Sequence, residues 1–483
     1  GFQEVEQMNL FKDMVCYQEE VRDPSRMAEV LNRVIEKAFR GSAPAQINVP
    51  RDYWTQVIDI ELPPIVRFER QGGGKEAIEN AAKLLSKAKF PVILSGAGVV
   101  LGGAIDECKK LAEKLDAPVC NGYQHNDSFP GSHPLAVGPL GYNGSKAAME
   151  LISKADVVLA LGTRLNPFST LPGYGIDYWP KQATIIQVDI NPDRIGLTKK
   201  VSVGICGDSK QVAQQILDKL SSDAGNEGRN ERKNLIHKTK SAWLQTLSGL
   251  DHEEDDPGTV WNKEARERDK DRMSPRQAWR AIQDALPQDA IISSDIGNNC
   301  AIGNAYPTFE KPRKYLAPGL FGPCGYGFPA ILGAKIGCPD TPVVGFAGDG
   351  AFGISMNEMS SCAREEWPAI TMVIFRNYQW GAEKRNSILW FDDNFVGTEL
   401  DPELSYAKVA NACGLKGVTC KTMEETTKAI KQSCEDQNKG ITTFIEIILN
   451  QELGEPFRRD AMKKPIKVAG IQKEDMKPQK ALS

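Results

Sequence analysis

The chain has 483 residues, of which 25% are charged, and a formal net charge of −4 at pH 7. This length exceeds a single ordinary core and predicts two or three domains. The near-balanced charge offers no basic field for nucleic acid and no polybasic patch for a membrane, so we expect small-molecule partners or copies of the chain itself.

Cysteine usage and hydropathy indicate the compartment. Eleven cysteines occur without a C-x-x-C pair, and only four histidines are present; this pattern argues against a zinc site or a disulfide framework. No apolar run approaches the roughly 20 residues of a membrane span, and the start "GFQEVEQMNL" has neither a basic nor an apolar signal region. We therefore expect a soluble cytoplasmic protein.

The first segment, residues 1–62, is short for a domain. The stretch "RDPSRMAEVLNRVIEKAF" has a helical pattern, and "PAQINVP" reads as a strand. Such a segment is far below the roughly 100 to 150 residues usual for an α/β domain. We interpret it as the C-terminal part of a domain whose front half lies outside this chain.

Two longer segments follow, and both alternate strand and helix patterns. Residues 75–223 contain short apolar strands such as "KFPVILSGAG" joined by amphipathic helices such as "AIDECKKLAEKL", and residues 272–452 repeat this alternation after a Ser-Pro helix start. Residues 224–271 form a charged linker, and the tail 453–483 has little to bury. The expected fold class is α/β, with three doubly wound parallel-sheet domains of which the first is incomplete.

Asp349 ends the apolar run "TPVVGFAG" and lies between two glycines. Parallel sheets bind ligands at the carboxyl ends of their strands, and the small residues after Asp349 begin a helix whose unpaired N–H groups favour an anion such as phosphate. A carboxylate beside a phosphate needs a cation between them, and Mg²⁺ is commonly shared in this way. The amide oxygen of Asn377 and the backbone carbonyl of Gln379, at the end of a following strand, are further candidate ligands.

A lone Gly-Asp-Gly is more often a tight turn, with the Asn as a cap. Two other stretches favour a site instead. "SSDIGNN" is a second strand end with a glycine and amide donors, and "GPCGYGFP" is a glycine-rich loop that leads into a helix. Three loops at the same sheet edge therefore predict a diphosphate site.

These residues carry a family resemblance. Gly-Asp-Gly, about 25 residues and then Asn is similar to the diphosphate and magnesium signature of thiamine diphosphate enzymes. "PAQINVPRD", "ADVVLALGTRLN", "IIQVDINPDRIG" and "GYGFPAILGAKIG" resemble the acetolactate synthase and pyruvate oxidase group over nearly the whole chain. Within that group, "QWGAEKRNSILWFDDNFVGTEL" and "EPFRRDAMKKPIKVAGI" resemble the sulfoacetaldehyde acetyltransferase family.

The resemblance implies thiamine diphosphate and Mg²⁺ as cofactors, with Asp349, Asn377 and the Gln379 carbonyl as metal ligands. It implies that five residues hold the diphosphate, namely Gly297, Asn298, Asn299, Gly350 and Ala351. The carbonyl of Gly322 would accept from the exocyclic amine of the cofactor. Cys324 falls where relatives place a bulky apolar wedge, often Met, and Arg376 replaces the first Asn of a usual pair.

The resemblance also implies an active site shared between chains. The glutamate that activates the cofactor in this family lies in the part of the first domain that is absent here, which leaves the activity of an N-terminally shortened chain open. Phe2 and Gln3 match positions near the thiazolium that are contributed across a dimer interface. We therefore expect a homodimer or homotetramer.

The implied reaction converts sulfoacetaldehyde and phosphate to acetyl phosphate and sulfite, in taurine and sulfonate catabolism. Both substrates are anions that need cationic partners, and Lys384 and Arg385 in "GAEKRN" are the candidates; the alternative is a solvated charged turn. An acetolactate synthase-like carboligase or 2-oxo acid decarboxylase, and a chain without catalytic activity, stay as alternatives. The stretch "GAGVVLGG" resembles a dinucleotide loop, but a lone match is weak and we expect no flavin.

Overall fold

The computed structural model describes residues 4–64, 69–249, 267–319, 321–390 and 395–452. The chain divides into two compact units, Gly1–Glu69 and Arg70–Ser483. Within the described ranges, no helix combines the length and apolar character that crossing a membrane would require. Phe2, Gln3 and the tail 453–483 lie outside these ranges.

The first unit pairs two parallel strands with one long amphipathic helix. Its elements are α1 (Gln7–Phe11), β1 (Tyr17–Glu20), α2 (Met27–Gly41) and β2 (Ala45–Asn48). Val30 and Val34, four residues apart on α2, are buried together with Val21, as expected for one face of a helix. The predicted helix and the predicted strand β2 are therefore confirmed, and β1 is an additional strand.

The first sheet of the second unit has six parallel strands with helices between them. Its strands are β3 (Pro91–Ser95), β4 (Val119–Asn121), β5 (Ala136–Pro139), β6 (Val157–Leu161), β7 (Thr184–Asp189) and β8 (Val203–Cys206). Its helices are α3 (Lys75–Ser86), α4 (Ala97–Gly102), α5 (Ile105–Leu115), α6 (Lys146–Ile152) and α7 (Ser209–Lys219). The spatial order is β5-β4-β3-β6-β7-β8. Strands β3 and β6 are buried along their whole length, because helices cover both faces of such a sheet.

The predicted charged linker contains α8 (Arg229–Ser248), a long helix with one buried face. The guanidinium of Arg232 is buried and donates to the carbonyls of Asp116, Leu115 and Gly225. These hydrogen bonds fasten the helix to the domain of the first sheet. Residues 250–266 of the predicted linker lie outside the described part of the chain.

The second sheet of this unit also has six parallel strands. They are β9 (Ile291–Ser294), β10 (Tyr315–Leu316), β11 (Val343–Gly348), β12 (Thr371–Arg376), β13 (Lys416–Cys420) and β14 (Thr443–Ile448). The helices are α9 (Pro275–Ala285), α10 (Asn298–Ile302), α11 (Gly327–Gly337), α12 (Asp349–Ser355), α13 (Met359–Cys362), α14 (Gly381–Trp390), α15 (Tyr406–Ala412) and α16 (Met423–Gln437). Ser274 caps α9 in a capping box with Gln277, which confirms the predicted helix start.

The order of the second sheet is β10-β9-β11-β12-β14-β13. The chain leaves β9 toward one side and returns to β11 on the other, so a crevice opens at the carboxyl ends of these two strands. In the first sheet the same reversal lies between β3 and β6. Such reversal points are where open parallel sheets bind ligands.

Candidate functional site

A cavity of about 340 Å³ lies at the reversal point of the second sheet. The ends of β9, β11 and β12 and the glycine-rich loop before α11 surround it, and the domain of the first sheet supplies one wall. Ten of the residues predicted from the sequence line it, namely Gly297, Asn298, Asn299, Gly322, Cys324, Asp349, Gly350, Ala351, Asn377 and Gln379. The structure thus brings together residues that are up to 82 positions apart in the chain.

Asp349 lies at the end of β11 and begins α12, where its side chain is almost fully buried. Its Oδ1 accepts from the Gly350 N–H at 2.9 Å, and its Oδ2 accepts from the Tyr378 N–H at 2.6 Å. The Arg376 guanidinium donates to the same Oδ2 at 3.1 Å. Burial raises the pKa of Asp349 to about 6, and the lowering effect of Arg376 is smaller than that of burial.

Arg376 is a buried cation that ties Asp349 to the rest of the domain. It also donates to the carbonyl of Leu404 at 3.0 Å and lies 3.8 Å from Glu446 on β14. The Tyr406 hydroxyl donates to the Asp349 carbonyl at 2.8 Å. Because all these groups are internal, the carboxylate of Asp349 is held in one orientation toward the cavity.

Asn377 and Gln379 flank a strained residue at the end of β12. Tyr378 has φ +61°, a left-handed conformation that is uncommon for a residue other than glycine. The segment is held there because Trp380 donates its N–H to the Thr398 carbonyl and Leu400 donates to the Tyr378 carbonyl. This turn presents both candidate metal ligands on the cavity wall beside Asp349.

The loop after β9 forms the opposite wall. Gly297 has φ +127°, which strongly favours glycine, and it precedes α10. The Nδ2 of Asn298 is buried and has no hydrogen-bond partner among the described residues; the same holds for Oδ1 of Asn299 and Oε1 of Gln379. Buried polar atoms are normally paired, so this cluster at one cavity fits a polar ligand.

Asp295 organises the glycine-rich loop, a role that the sequence did not reveal. Its carboxylate accepts from the backbone N–H groups of Gly325 at 3.1 Å and Gly327 at 2.7 Å. Burial raises its pKa. Gly322, with φ +62°, and Cys324 lie in the loop that Asp295 fixes, and burial raises the pKa of the Cys324 thiol.

Lys384 lies outside the set of residues that line the cavity. Its ammonium pairs with Glu399 and donates to Oε1 of Gln451 at 3.3 Å. The side chain of Arg385 lies outside the described part of the structure. The neighbouring residue Glu383, which the sequence did not point to, lines the cavity instead.

The aromatic residues of the cavity were also missed, among them Phe321 in the glycine-rich loop before α11. Tyr123, Tyr142 and Phe168 come from the domain of the first sheet, and Trp380 follows the predicted metal loop. A Cβ on Gly350 would lie 2.8 Å from the Trp380 ring, so this glycine permits close packing of the ring over α12. An aromatic residue that lies some 150 positions before the motif carries no local signal for this site.

The residues present fit Mg²⁺ and a diphosphate. One carboxylate, one amide oxygen and a backbone carbonyl are hard oxygen ligands, as Mg²⁺ prefers. Across the described ranges, no group of three or more His, Cys, Asp or Glu side chains could hold a metal. A metal at Asp349 would therefore depend on oxygens from amides, carbonyls and the bound ligand.

Comparison with known proteins identifies related chains. The model of the thiamine pyrophosphate enzyme central domain matches residues 78–216, and that of the C-terminal TPP binding domain matches residues 295–447. A probable sulfoacetaldehyde acetyltransferase of Rhizobium meliloti (strain 1021) is 77% identical over 482 residues, which span 100% of this chain and 82% of that protein.

Two further relatives extend the comparison. A sulfoacetaldehyde acetyltransferase of Roseovarius nubinhibens is 75% identical over 479 residues, covering 99% of this chain and 79% of that protein. A probable acetolactate synthase large subunit of Methanocaldococcus jannaschii is 28% identical over 447 residues, covering 90% of this chain and 72% of that protein. The relative named as an acetolactate synthase subunit is therefore much less similar to this chain than these two relatives named as acetyltransferases.

Proposed function

The chain belongs to the sulfoacetaldehyde acetyltransferase family of thiamine pyrophosphate enzymes, and from this premise we propose that it converts sulfoacetaldehyde and phosphate to acetyl phosphate and sulfite. Five relatives named for this activity are 45% to 77% identical over 97% to 100% of the chain. The observation that carries the proposal within the molecule is the cavity at Asp349, where the cofactor-binding residues expected from the sequence meet.

Asp349, Asn377 and the Gln379 carbonyl would hold Mg²⁺, whose charge would offset that of the cofactor's diphosphate. The diphosphate would accept from Nδ2 of Asn298, which has no partner among the described residues. It would also accept from backbone N–H groups at the start of α12 other than that of Gly350, which already donates to Asp349. Asp349 is the only carboxylate in this ligand set, and Arg376 and Tyr378 hold it in place. Oxygen ligands of this kind support Mg²⁺ in preference to a thiol-seeking metal.

Bound thiamine diphosphate supplies the electron sink that a cleavage next to a carbonyl carbon requires. The chain supplies position and environment. Asp295 fixes the loop of Gly322 and Cys324 through backbone hydrogen bonds, and the rings of Phe168, Tyr123 and Trp380 form an apolar wall. An enclosed apolar wall excludes water, which would otherwise compete with phosphate for the acetyl group.

The charge of the cavity requires cations from further residues. Among the lining residues that the structure describes, Asp295, Asp349 and Glu383 are acidic and none is a Lys or Arg. Sulfonate and phosphate are anions. If Mg²⁺ were the only cation in the cavity, its charge would have to offset three carboxylates as well as these substrates. Arg385, on the helix that also carries Glu383, is our proposed anion partner, with Lys384 as the second candidate.

We also propose that the protein is a homodimer or homotetramer. It would act in the cytoplasm, in taurine or sulfonate catabolism. The eleven cysteines all lie in the described ranges and form no disulfide there, which supports a reducing compartment. The shared site is proposed because Phe2 and Gln3 match positions that the family contributes across a dimer interface.

Product analysis tests the proposed reaction. The full-length protein with thiamine diphosphate, Mg²⁺, phosphate and sulfoacetaldehyde is expected to release one sulfite and one acetyl phosphate per substrate consumed. Pyruvate in place of sulfoacetaldehyde serves as the comparison. Release of CO₂ from pyruvate at a comparable rate, without sulfite from sulfoacetaldehyde, would contradict the proposal and favour a carboligase or decarboxylase.

A further inference from the structure

Tyr142 reaches the cavity from the domain of the first sheet. It lies between β5 and α6, and its hydroxyl donates to Oδ1 of Asn298 on α10 at 3.0 Å. Both side chains are buried, with 6% and 5% of their surface exposed. A hydrogen bond between two such groups is sheltered from competition with water.

The backbone around Tyr142 is fixed from several sides. Its N–H donates to the Phe168 carbonyl at 3.3 Å, and its carbonyl accepts from Nδ2 of Asn304 at 3.1 Å. The preceding Gly141 has φ +81°, and a Cβ there would lie 2.1 Å from the Phe168 carbonyl oxygen. The loop therefore holds the Tyr142 ring in one place before any ligand binds.

The hydroxyl of Tyr142 determines which end of the Asn298 amide remains for a ligand. Because Oδ1 accepts from Tyr142, the amide is oriented with Nδ2 as its other end. Nδ2 is buried and has no partner within the described ranges, and Asn298 lines the cavity. A buried amide donor without an acceptor is costly, and an anionic oxygen is the acceptor that would relieve the cost best.

We propose that Tyr142 is a positioning residue for the diphosphate: it fixes the Asn298 amide so that its N–H group meets a diphosphate oxygen. The domain of the first sheet thereby takes part in cofactor binding at the edge of the second sheet. This inference rests on the cofactor of the proposed function and not on its substrate. It names a residue outside every stretch that the sequence marked as a site.

The competing explanation is that the Tyr142 ring only fills the wall. The ring lies 6.3 Å from that of Tyr123 and packs near Ala301 on α10. Phe in place of Tyr retains this packing and removes only the hydroxyl. Tyr142→Phe therefore separates the two roles.

The control is Tyr174→Phe. Tyr174 donates its hydroxyl to the Gly144 carbonyl at 2.8 Å, so this variant also removes one hydroxyl that is bonded to the loop of Tyr142. Tyr174 does not line the cavity. The pair of variants is matched in chemistry and in its contact with that loop, and it differs at Asn298.

The experiment measures dissociation constants of the full-length protein by calorimetry, for thiamine diphosphate and for inorganic pyrophosphate, each with saturating Mg²⁺. Tyr142→Phe is expected to weaken both probes by about 3- to 10-fold, the value of one hydrogen bond, whereas Tyr174→Phe is expected to leave both within 2-fold. Equal binding by Tyr142→Phe and the wild type would overturn the inference. A loss for thiamine diphosphate alone would also overturn it, because the hydroxyl would then act on a part of the cofactor other than the diphosphate.

A double-variant cycle tests the route through Asn298. In an Asn298→Ala background, Tyr142→Phe is expected to produce no further loss, because the hydroxyl acts only on that amide. Two losses that multiply independently would overturn the inference. Wild-type protein that binds neither probe would overturn the cofactor site itself, whereas wild-type binding with an unaffected Tyr142→Phe variant would leave the site standing and remove only Tyr142 from it.

Discussion

Glycines at the reversal points of the two six-stranded sheets differ in their surroundings, although other glycines of the second site, such as Gly350, are closely packed as well. In the first sheet, a Cβ on Gly96 would lie 2.5 Å from the Gly162 carbonyl oxygen, and one on Gly98 would lie 2.6 Å from the Gly162 Cα. In the second sheet, Gly297 and Gly348 have open space where a Cβ would be. We call the reversal point of the first sheet, where Gly96 and Gly98 pack against Gly162, the closed edge. We call that of the second sheet, where Gly297 and Gly348 line the cavity at Asp349, the open edge.

A glycine-rich turn therefore does not by itself predict a ligand. Polar groups at the strand ends separate the two edges. In the first sheet, Ser95 donates its hydroxyl to the Ser128 carbonyl at 2.9 Å, so this end is satisfied internally. At the second edge, Asn298 and Gln379 have buried atoms without a partner among the described residues. The predicted absence of flavin at "GAGVVLGG" stays a prediction.

Of these predictions, the substitution of Asp349 at the open edge should weaken binding most. Asp349→Ala removes the only carboxylate of the proposed metal site, so we expect thiamine diphosphate to bind more than about 100-fold more weakly at fixed Mg²⁺. Asp340→Ala is the matched control, because Asp340 is an exposed aspartate in the same domain. Calorimetric titration measures both. Equal affinity in the Asp349→Ala variant and the wild type would remove the metal from this edge.

Arg385 tests how the acidic open edge accepts anions. Loss of a charge-assisted contact in Arg385→Ala is expected to lower kcat/KM for sulfoacetaldehyde or for phosphate by about 10- to 150-fold, and Arg385→Lys should recover only part of it. Steady-state kinetics with each substrate varied separately assigns the ligand. Lys384→Met is the comparison, since Lys384 already pairs with Glu399.

If neither KM nor kcat changes in Arg385→Ala, the charge of Arg385 has no part in anion binding. The stretch "GAEKRN" is then only the start of helix α14, and not the solvated turn that the sequence left as the alternative. If Lys384→Met raises a KM and Arg385→Ala does not, Lys384 is the anion partner. The two variants therefore assign the role to one side chain.

The buried carboxylate of the open edge also predicts a pH dependence. The pKa of Asp349 is raised from 3.8 to about 6, so between these values the unfolded chain has lost a proton that the folded chain retains. The free energy of unfolding without ligands is therefore expected to fall as pH rises from 4 to 6, by up to about 3 kcal/mol from this group. Asp349→Asn lacks the titration, so its stability relative to wild type should rise over this range. A constant difference between the two proteins would refute the shift.

Substitutions at the closed edge are expected to change the free energy of unfolding and to have the smallest effect of this series. Gly98→Ala places a methyl group against the Gly162 backbone, and we expect a loss of about 1 to 3 kcal/mol in the free energy of unfolding. Gly348→Ala, with φ −68° and no atom within 4 Å of its Cβ, should cost less than about 0.5 kcal/mol. Denaturant unfolding compares them. Equal losses would mean that the two edges do not differ in packing.

Much of the fold and the polar centre of the site could be predicted from sequence, because strand ends carry local signals. Asp349 and Asn377 each follow an apolar strand, and the parallel order of the sheet brings such ends together. Strands β5, β10 and β13 were not predicted from the sequence, and β5 and β13 show why. They are short edge strands with "AVGP" and "KGVTC" in place of a long apolar run, and such runs are the main signal for a buried strand.

The rest of the site depends on tertiary contacts. Tyr142 and Asn298 form a hydrogen bond although 156 positions separate them in the chain. No sequence pattern near either residue predicts this contact. Asp295 acts through backbone N–H groups of a loop some 30 positions later, so its role appears only when the loop is in place. Lys384 was a candidate because of its motif. In the fold its ammonium forms an ion pair with Glu399 and does not line the cavity.

The most direct test of the open edge is a crystal structure of the full-length protein with thiamine diphosphate and Mn²⁺ in place of Mg²⁺, analysed by anomalous scattering. We expect one strong peak bonded to Asp349, Asn377 and the Gln379 carbonyl, with the diphosphate beside Asn298. A peak at the edge of the first sheet near Gly96, or a diphosphate bound without contact to Asp349, would contradict this expectation.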